Sequence, residues 1–378
     1  MSIATNRVLR AAKLSRLVAT REESMVKRQP SPTLVLALLA VAAFSTFTVT
    51  LMLGPLLVEL AKEFDTSVAV VGQLVAAMAI TRIIITPLVG PFSDAYGRRL
   101  MLLSGLALMV VGVLGSALAW SYGSLLAFRL VTGGGLAIVY SNCTAIVADI
   151  FPAENRGKAI GWLVSSQGIG AALGIGVVAL LLDLGGWQLP FYVIGTLLLI
   201  LWALFWVWCP RSQRQPGHSL TFFTHYKEVG ANRVSWYALA ANTLQETAVY
   251  GVFSYLAANL IQTYSMRAGE TFLPLALAGA GVITAGFIGG RVADHPRRLA
   301  LFSAFPLGGG LLAGLIFTTN VSPWATAVLA FGAVALLRIS NTVTPVLLLE
   351  AAGRSRATAT AMSSFSSQLG ALGGGSIG

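Results

Sequence analysis

The sequence predicts an all-α polytopic membrane protein, and three observations carry that expectation. Apolar residues make up 56% of the 378 and charged residues only 10%. The mean hydropathy of +0.78 is above that of an ordinary soluble domain. Apolar runs of about 20 residues recur along the whole chain, each long enough to cross a bilayer as a helix. A large soluble protein built of buried helices would need far more polar surface.

Taken in order, residues 1–31 are a polar tail holding Arg7, Arg10, Lys13, Arg16, Arg21, Lys27 and Arg28. The apolar run that follows is too long for a signal peptide and has no convincing cleavage site, so it reads as a span. Spans are expected near 33–57, 68–89, 100–120, 125–147, 159–181 and 191–209, a first bundle of six over 32–209. The polar stretch 210–232 reads as a linker. Five more spans are expected near 233–259, 271–289, 299–319, 325–347 and 357–378, a second bundle over 233–378.

The net charge of +11 could suit nucleic acid, but its distribution excludes that partner. The loops on the tail's side and the tail itself hold nearly all the Lys and Arg. The opposite loops hold only Lys62 and Arg267, and Arg82, Arg129 and Arg338 fall inside spans. This bias expects a cytoplasmic amino terminus. Cys143 and Cys209 both lie in or at the end of apolar spans, so neither a disulfide nor a metal site is expected. His218, His225 and His295 fall in loops, and no catalytic or nucleotide-binding motif appears. No cofactor and no enzymatic activity are expected, and lipid is the expected surrounding.

The chain also repeats itself. Gly90-x-x-x-Asp94 recurs 200 residues on as Gly290-x-x-x-Asp294, and Arg98 and Arg156 recur as Arg298 and Arg356. Ser166-Gln167 recurs as Ser367-Gln368, and Gly170 and Gly174 as Gly370 and Gly374. Two parallel six-span halves related by an axis along the membrane normal would produce this pattern. By that count the second half lacks a sixth span. A fragment, a truncation and a genuine eleven-span form all fit.

Between the second and third spans lies Gly90-Pro-Phe-Ser-Asp94-Ala-Tyr-Gly97-Arg98-Arg99. It reads as a compact charged turn, with Asp94 and Arg98 four apart and able to pair on one helical face. These residues resemble the Gly-x-x-x-Asp-x-x-Gly-Arg-Arg motif of the major facilitator superfamily. Arg129-Leu-Val-Thr-Gly133 resembles that family's fourth-helix motif, with Thr132 in place of Gln. Gly161, Gly170 and Gly174 have the spacing of the fifth-helix glycines of its drug/proton antiporters, with Ile175 at the proline position.

The resemblance covers roughly residues 33–378 and implies the family's fold of two six-helix bundles, here without the twelfth helix. It implies secondary active transport by alternating access, and in the antiporter group proton-coupled export of small organic compounds or drugs. A sugar or metabolite permease and a non-transporting remnant or sensor are the alternatives. A monomer in the inner membrane of a bacterium is expected.

It implies roles for particular residues as well. Gly90, Asp94, Gly97, Arg98 and Arg99 would form a latch between the halves, with Arg98 bridging Asp94 to Asp149. Asp294, Arg298 and Glu350 stand in equivalent places of the second half. The alternative is that these charges only cap helices. Helices 1, 4, 7 and 10 would line a central cavity. Glu246, mid-way along the seventh span, would then carry a proton or bind a cation; a structural hydrogen bond to Arg338 or Arg82 is the alternative. Arg129 would transfer protons or gate, unless it snorkels to the interface. Phe44, Thr46, Asn142, Gln245, Tyr250, Arg338 and Asn341 are the expected cavity residues, joined by Phe47, Trp236, Phe253 and Tyr255 as aromatic lining. Gly161, Gly170 and Gly174 would allow close helix packing.

Overall fold

The computed structural model describes residues 31–208, 233–293, 298–319, 321–341, 344 and 356–376. Among these, eleven long helices are present and no strands. Helix α1 runs Pro32–Leu51 and, past a break at Met52, Leu53–Glu63. Ser31 caps it, its hydroxyl accepting from the Leu34 N–H at 3.3 Å. The break has a local cause: Pro55 cannot donate to the Leu51 carbonyl four residues back.

Helix α2, Val68–Tyr96, is capped by Ser67 and ended by Gly97 at φ +93°, a conformation that a side chain would strain. Helix α3 begins at once, Arg98–Ala117. The charged segment is therefore not a loop of ten residues. It is helical to Tyr96, and the turn is Gly97 alone. Asp94 and Arg98 stand on different helices rather than on one helical face.

Helix α4, Tyr122–Ile150, opens with a capping box in which Ser121 and Ser124 satisfy each other's backbone N–H. Helix α5 is Ala153–Ile169, a π-helical turn Gly170–Gly174, and Ile175–Gly185. Helices α6, Gln188–Trp208, and α7, Arg233–Tyr264, follow. A 3-10 turn Ala268–Thr271 leads into α8, Phe272–Ala293. Helices α9, Arg298–Thr318, α10, Pro323–Asn341, and α11, Arg356–Ser376, complete the set.

Among the described residues nine helices are long and apolar enough to cross a membrane. The two that fall short are α7 and α11, which carry Asn242, Gln245 and Glu246, and Ser363, Ser364, Ser366, Ser367 and Gln368. Their polar residues turn out to have a protein-facing use. The outward faces hold large exposed apolar side chains such as Ile84, Val111, Leu184, Phe287, Leu307 and Leu311, as a lipid-facing surface requires.

The 200-residue repeat is visible in the packing. Gly170 and Gly174 of α5 press on Phe44 and Thr48 of α1. Gly370 and Gly374 of α11 press on Thr243–Tyr250 of α7 in the same way. A Cβ on any of the four would collide with its neighbour, so small residues set the approach and dispersion holds it. Gly161 is exposed and a side chain there would meet nothing within 4 Å, so of the three expected glycines only Gly170 and Gly174 pack closely.

The two halves meet through α1 against α7, α2 against α11, and α5 against α8. A shift of six helices turns the α2–α11 contact into α8–α5, so these two are one contact used twice. Gly279 of α8 lies on the backbone of Ala171 and Ala172, and Gly375 of α11 on Val75 and Ala76 of α2. The core of the first bundle gathers Leu39, Leu56, Met109, Phe191 and Phe205. The second gathers Phe253, Leu256, Ala330 and Val334, with Ala79, Ala171 and Ile175 contributed across the interface.

Candidate functional site

Between the bundles lies a cavity of about 220 Å³. Helix α1 supplies Thr46, Phe47 and Thr50; α2 supplies Arg82 and Thr86; α4 supplies Leu136, Ala137, Tyr140 and Ser141. Gln167 comes from α5, Glu246 and Tyr250 from α7, Arg338 from α10, and Ser363, Ser364, Ser367 and Gln368 from α11. Equivalent positions of the halves share the lining: Thr46 with Glu246, Thr50 with Tyr250, Gln167 with Gln368. The repeat thus builds one lining from two copies and lets them differ in charge.

Glu246 is 4% exposed and ion-paired with Arg338, whose Nη1 stands 2.7 Å from Oε1. The pair joins α7 to α10 at the cavity wall. Burying either charge alone in a lipid-embedded protein is costly; together they neutralise each other. The cavity's other cation, Arg82, has its buried Nε without a hydrogen-bond partner among the described residues.

Of the residues expected here, Thr46, Phe47, Glu246, Tyr250 and Arg338 line the cavity. Four others lie elsewhere, three of them buried and Tyr255 half-buried. Asn142 accepts from Ser93 at 2.5 Å and donates to the Ile138 carbonyl at 2.8 Å, tying α4 to α2. Gln245 reaches Ser340 of α10 at 3.4 Å. Phe253 lies beside Gly54 of α1, and the Tyr255 hydroxyl donates to the Gly375 carbonyl at 3.0 Å. Phe44 is absent from the lining and Trp236 points outward. Asn341 closes α10, and its side chain lies outside the described structure. Thr86, Tyr140, Gln167 and the α11 serines were not anticipated. The repeated Ser-Gln pair was the signal that could have found Gln167 and Gln368.

At the end where α2 meets α3, Arg98 Nε stands 3.4 Å from Asp149 Oδ2 at the foot of α4. Arg99 donates to the Trp206 carbonyl of α6. The basic pair thereby fastens α3 to two neighbours. Gly90 is exposed within α2. Asp94 lies within α2 and Arg298 begins α9, but their side chains lie outside the described structure, as do Asp294 and Glu350 entirely. At the opposite end a pair that sequence reasoning missed crosses between the halves: Arg267 Nε lies 3.7 Å from Asp183 Oδ1.

Arg129 does not reach the cavity. It is fully buried between α3, α4 and α6, donating to Ser116 at 2.7 and 3.1 Å, with its guanidinium 4.8 Å from the centre of the Phe191 ring.

Two helical bundles packed around a polar cavity between them define a membrane transporter. A family model described as "Major Facilitator Superfamily" matches residues 39–375, and the chain belongs to that family. It is 26% identical to the uncharacterized MFS-type transporter YceJ of Bacillus subtilis (strain 168) over 283 residues, 73% of this chain and 70% of the relative. It is 28% identical over 253 residues to the 3-(3-hydroxy-phenyl)propionate transporter of Escherichia coli (strain K12), 64% of this chain and 59% of the relative. It is 23% identical over 251 residues to the quinolone resistance protein NorA of Staphylococcus aureus (strain MRSA252), 65% of this chain and 63% of the relative. The fold matches a bacterial homolog of the human lysosomal transporter Spinster, crystallised inward-facing and unoccupied. The TM-score is 0.74 at 19% identity, over 92% of this chain and 82% of that one.

Proposed function

We propose that this protein moves small organic compounds across the bacterial inner membrane by alternating access, with a proton carried on Glu246 in each cycle. The observation that carries this reading is the buried Glu246–Arg338 pair on the wall of the cavity between the bundles. A proton on Glu246 removes its charge and frees Arg338, so protonation and cavity occupancy depend on each other. The bundles then rock about the cavity as two similar bodies.

In this scheme Asp94, Arg98, Arg99 and Asp149 latch the cytoplasmic end, with Asp294, Arg298 and Glu350 as the second half's counterparts. Asp183 and Arg267 latch the other end. The distribution of basic residues supports a cytoplasmic amino terminus, and the protein works as a monomer.

Export is the reading that likeness to a quinolone resistance protein favours. Uptake of a metabolite is the reading that likeness to the 3-(3-hydroxy-phenyl)propionate transporter favours. The small polar cavity supports the second over a drug-sized substrate, whose pockets usually exceed about 300 Å³.

Proteoliposomes enclosing a pH-sensitive dye test the coupling. Candidate solutes should provoke proton flux with the native protein and none with Glu246→Gln at equal reconstitution. Undiminished proton-linked flux in the variant removes Glu246 from the mechanism.

A further inference from the structure

We propose that the cavity takes a small organic anion, a carboxylate or a phosphate ester, with its acid group held by Arg82. The inference rests on the cavity being the transport site and names its substrate class. The charges lining it do not cancel. Glu246 is the one acid among them, and at 2.7 Å it is taken up by Arg338. That leaves the Arg82 guanidinium facing the same space. Among the described residues its buried Nε has no acceptor, and none of the ion pairs they form includes it. A cation at membrane depth without an anion is costly, and an anionic ligand removes that cost.

The surroundings suit such a ligand. Tyr140 and Gln167, in the same lining as Arg82, offer neutral donors that can hold the remaining oxygen atoms of an oxyanion, while the Ser141 hydroxyl donates to the Ala137 carbonyl at 2.9 Å. Phe47, Leu136 and Tyr250 supply apolar wall for the rest of the molecule. The volume of 220 Å³ equals that of about seven liquid waters, room for an acid with a single ring. Nor is the arginine a requirement of the fold: the equivalent position of the second half is Val282. The guanidinium fork is the side chain best matched to planar, two-point recognition of a carboxylate or phosphate.

The test is calorimetric binding to the purified full chain in detergent, using 3-phenylpropionate and phenyl phosphate beside neutral 3-phenylpropionamide and cationic 3-phenylpropylamine. At least one anion should bind about tenfold or more tighter than both uncharged and cationic probes. Arg82→Gln should erase that preference, and Arg82→Lys should keep part of it. Anions that bind no tighter than the amide overturn the proposal, and so does a preference that survives Arg82→Gln. If Arg82→Gln does not elute as a folded species, the contrast between acid and amide on the native protein decides alone. Proton-linked flux of the amine or amide without anion preference would overturn this inference and leave the transport reading standing. Anion preference without flux of any probe would do the reverse.

Discussion

Arg338 Nη1 stands 2.7 Å from Glu246 Oε1, so α10 and α7 share one buried ion pair at the wall of the cavity. Removing one partner leaves the other charged, buried and unmatched, at a cost of about 3–5 kcal/mol. Removing both leaves two neutral groups that can hydrogen-bond. Glu246→Gln and Arg338→Gln should therefore each destabilise the protein strongly, while the double variant recovers most of the loss. Denaturant titration of the four proteins in micelles measures the coupling. Additive losses would mean that the two side chains act independently.

The pair at the opposite end should behave differently. Asp183 and Arg267 are one-third and three-quarters exposed, so their direct worth is about 1 kcal/mol or less. Their position, bridging the halves, matters more than their energy. A Cβ at Gly269 would lie 3.1 Å from that of Asp183, close to the separation a disulfide needs. With Cys143 and Cys209 replaced by alanine, Asp183→Cys and Gly269→Cys should oxidise to a cross-link that stops transport, and reduction should restore it. Transport that continues through a formed cross-link would show that this end stays closed throughout the cycle.

The packing repeat predicts paired effects. Gly174 meets Thr48 on α1, and Gly374 meets Thr247 and Tyr250 on α7, two copies of one helix contact. Gly174→Val and Gly374→Val should each lower stability by about 1–3 kcal/mol through overpacking. Gly161→Val, facing open space, should change little. Thermal unfolding of the three variants in one detergent separates these outcomes. A loss at Gly161 equal to that at Gly174 would contradict the assignment of the contact.

Much of this architecture was legible in the sequence because lipid imposes a simple rule. A backbone in hydrocarbon must satisfy itself, so long apolar runs become helices. The cost of intramembrane charge made Glu246 and Arg338 conspicuous, and both line the cavity. What hydropathy does not encode is which neighbour a helix face meets. Asn142 looked like a cavity residue, yet its partner is Ser93 across the α2–α4 seam. The segment Gly90–Tyr96 read as a turn because it holds a glycine and a proline, yet the helix runs through both. Asp183 and Arg267 are distant in sequence and unremarkable in composition, so only the folded chain brings them together.

Arg129 offers the last prediction. It is a fully buried cation, held by the Ser116 hydroxyl and the Phe191 ring, with no carboxylate paired to it among the described residues. Neither partner compensates a desolvated charge as an anion would. Replacing it by an apolar side chain of similar volume should therefore leave the fold intact or firmer. The expected role of so costly a charge is therefore in the transport cycle rather than in stability. Arg129→Met should show an unchanged or raised Tm while transport falls by more than about tenfold. Because Arg129 lies outside the cavity, solute binding should persist in the variant and the loss should fall on turnover. A sharply lowered Tm with normal transport per folded molecule would make Arg129 a packing residue only.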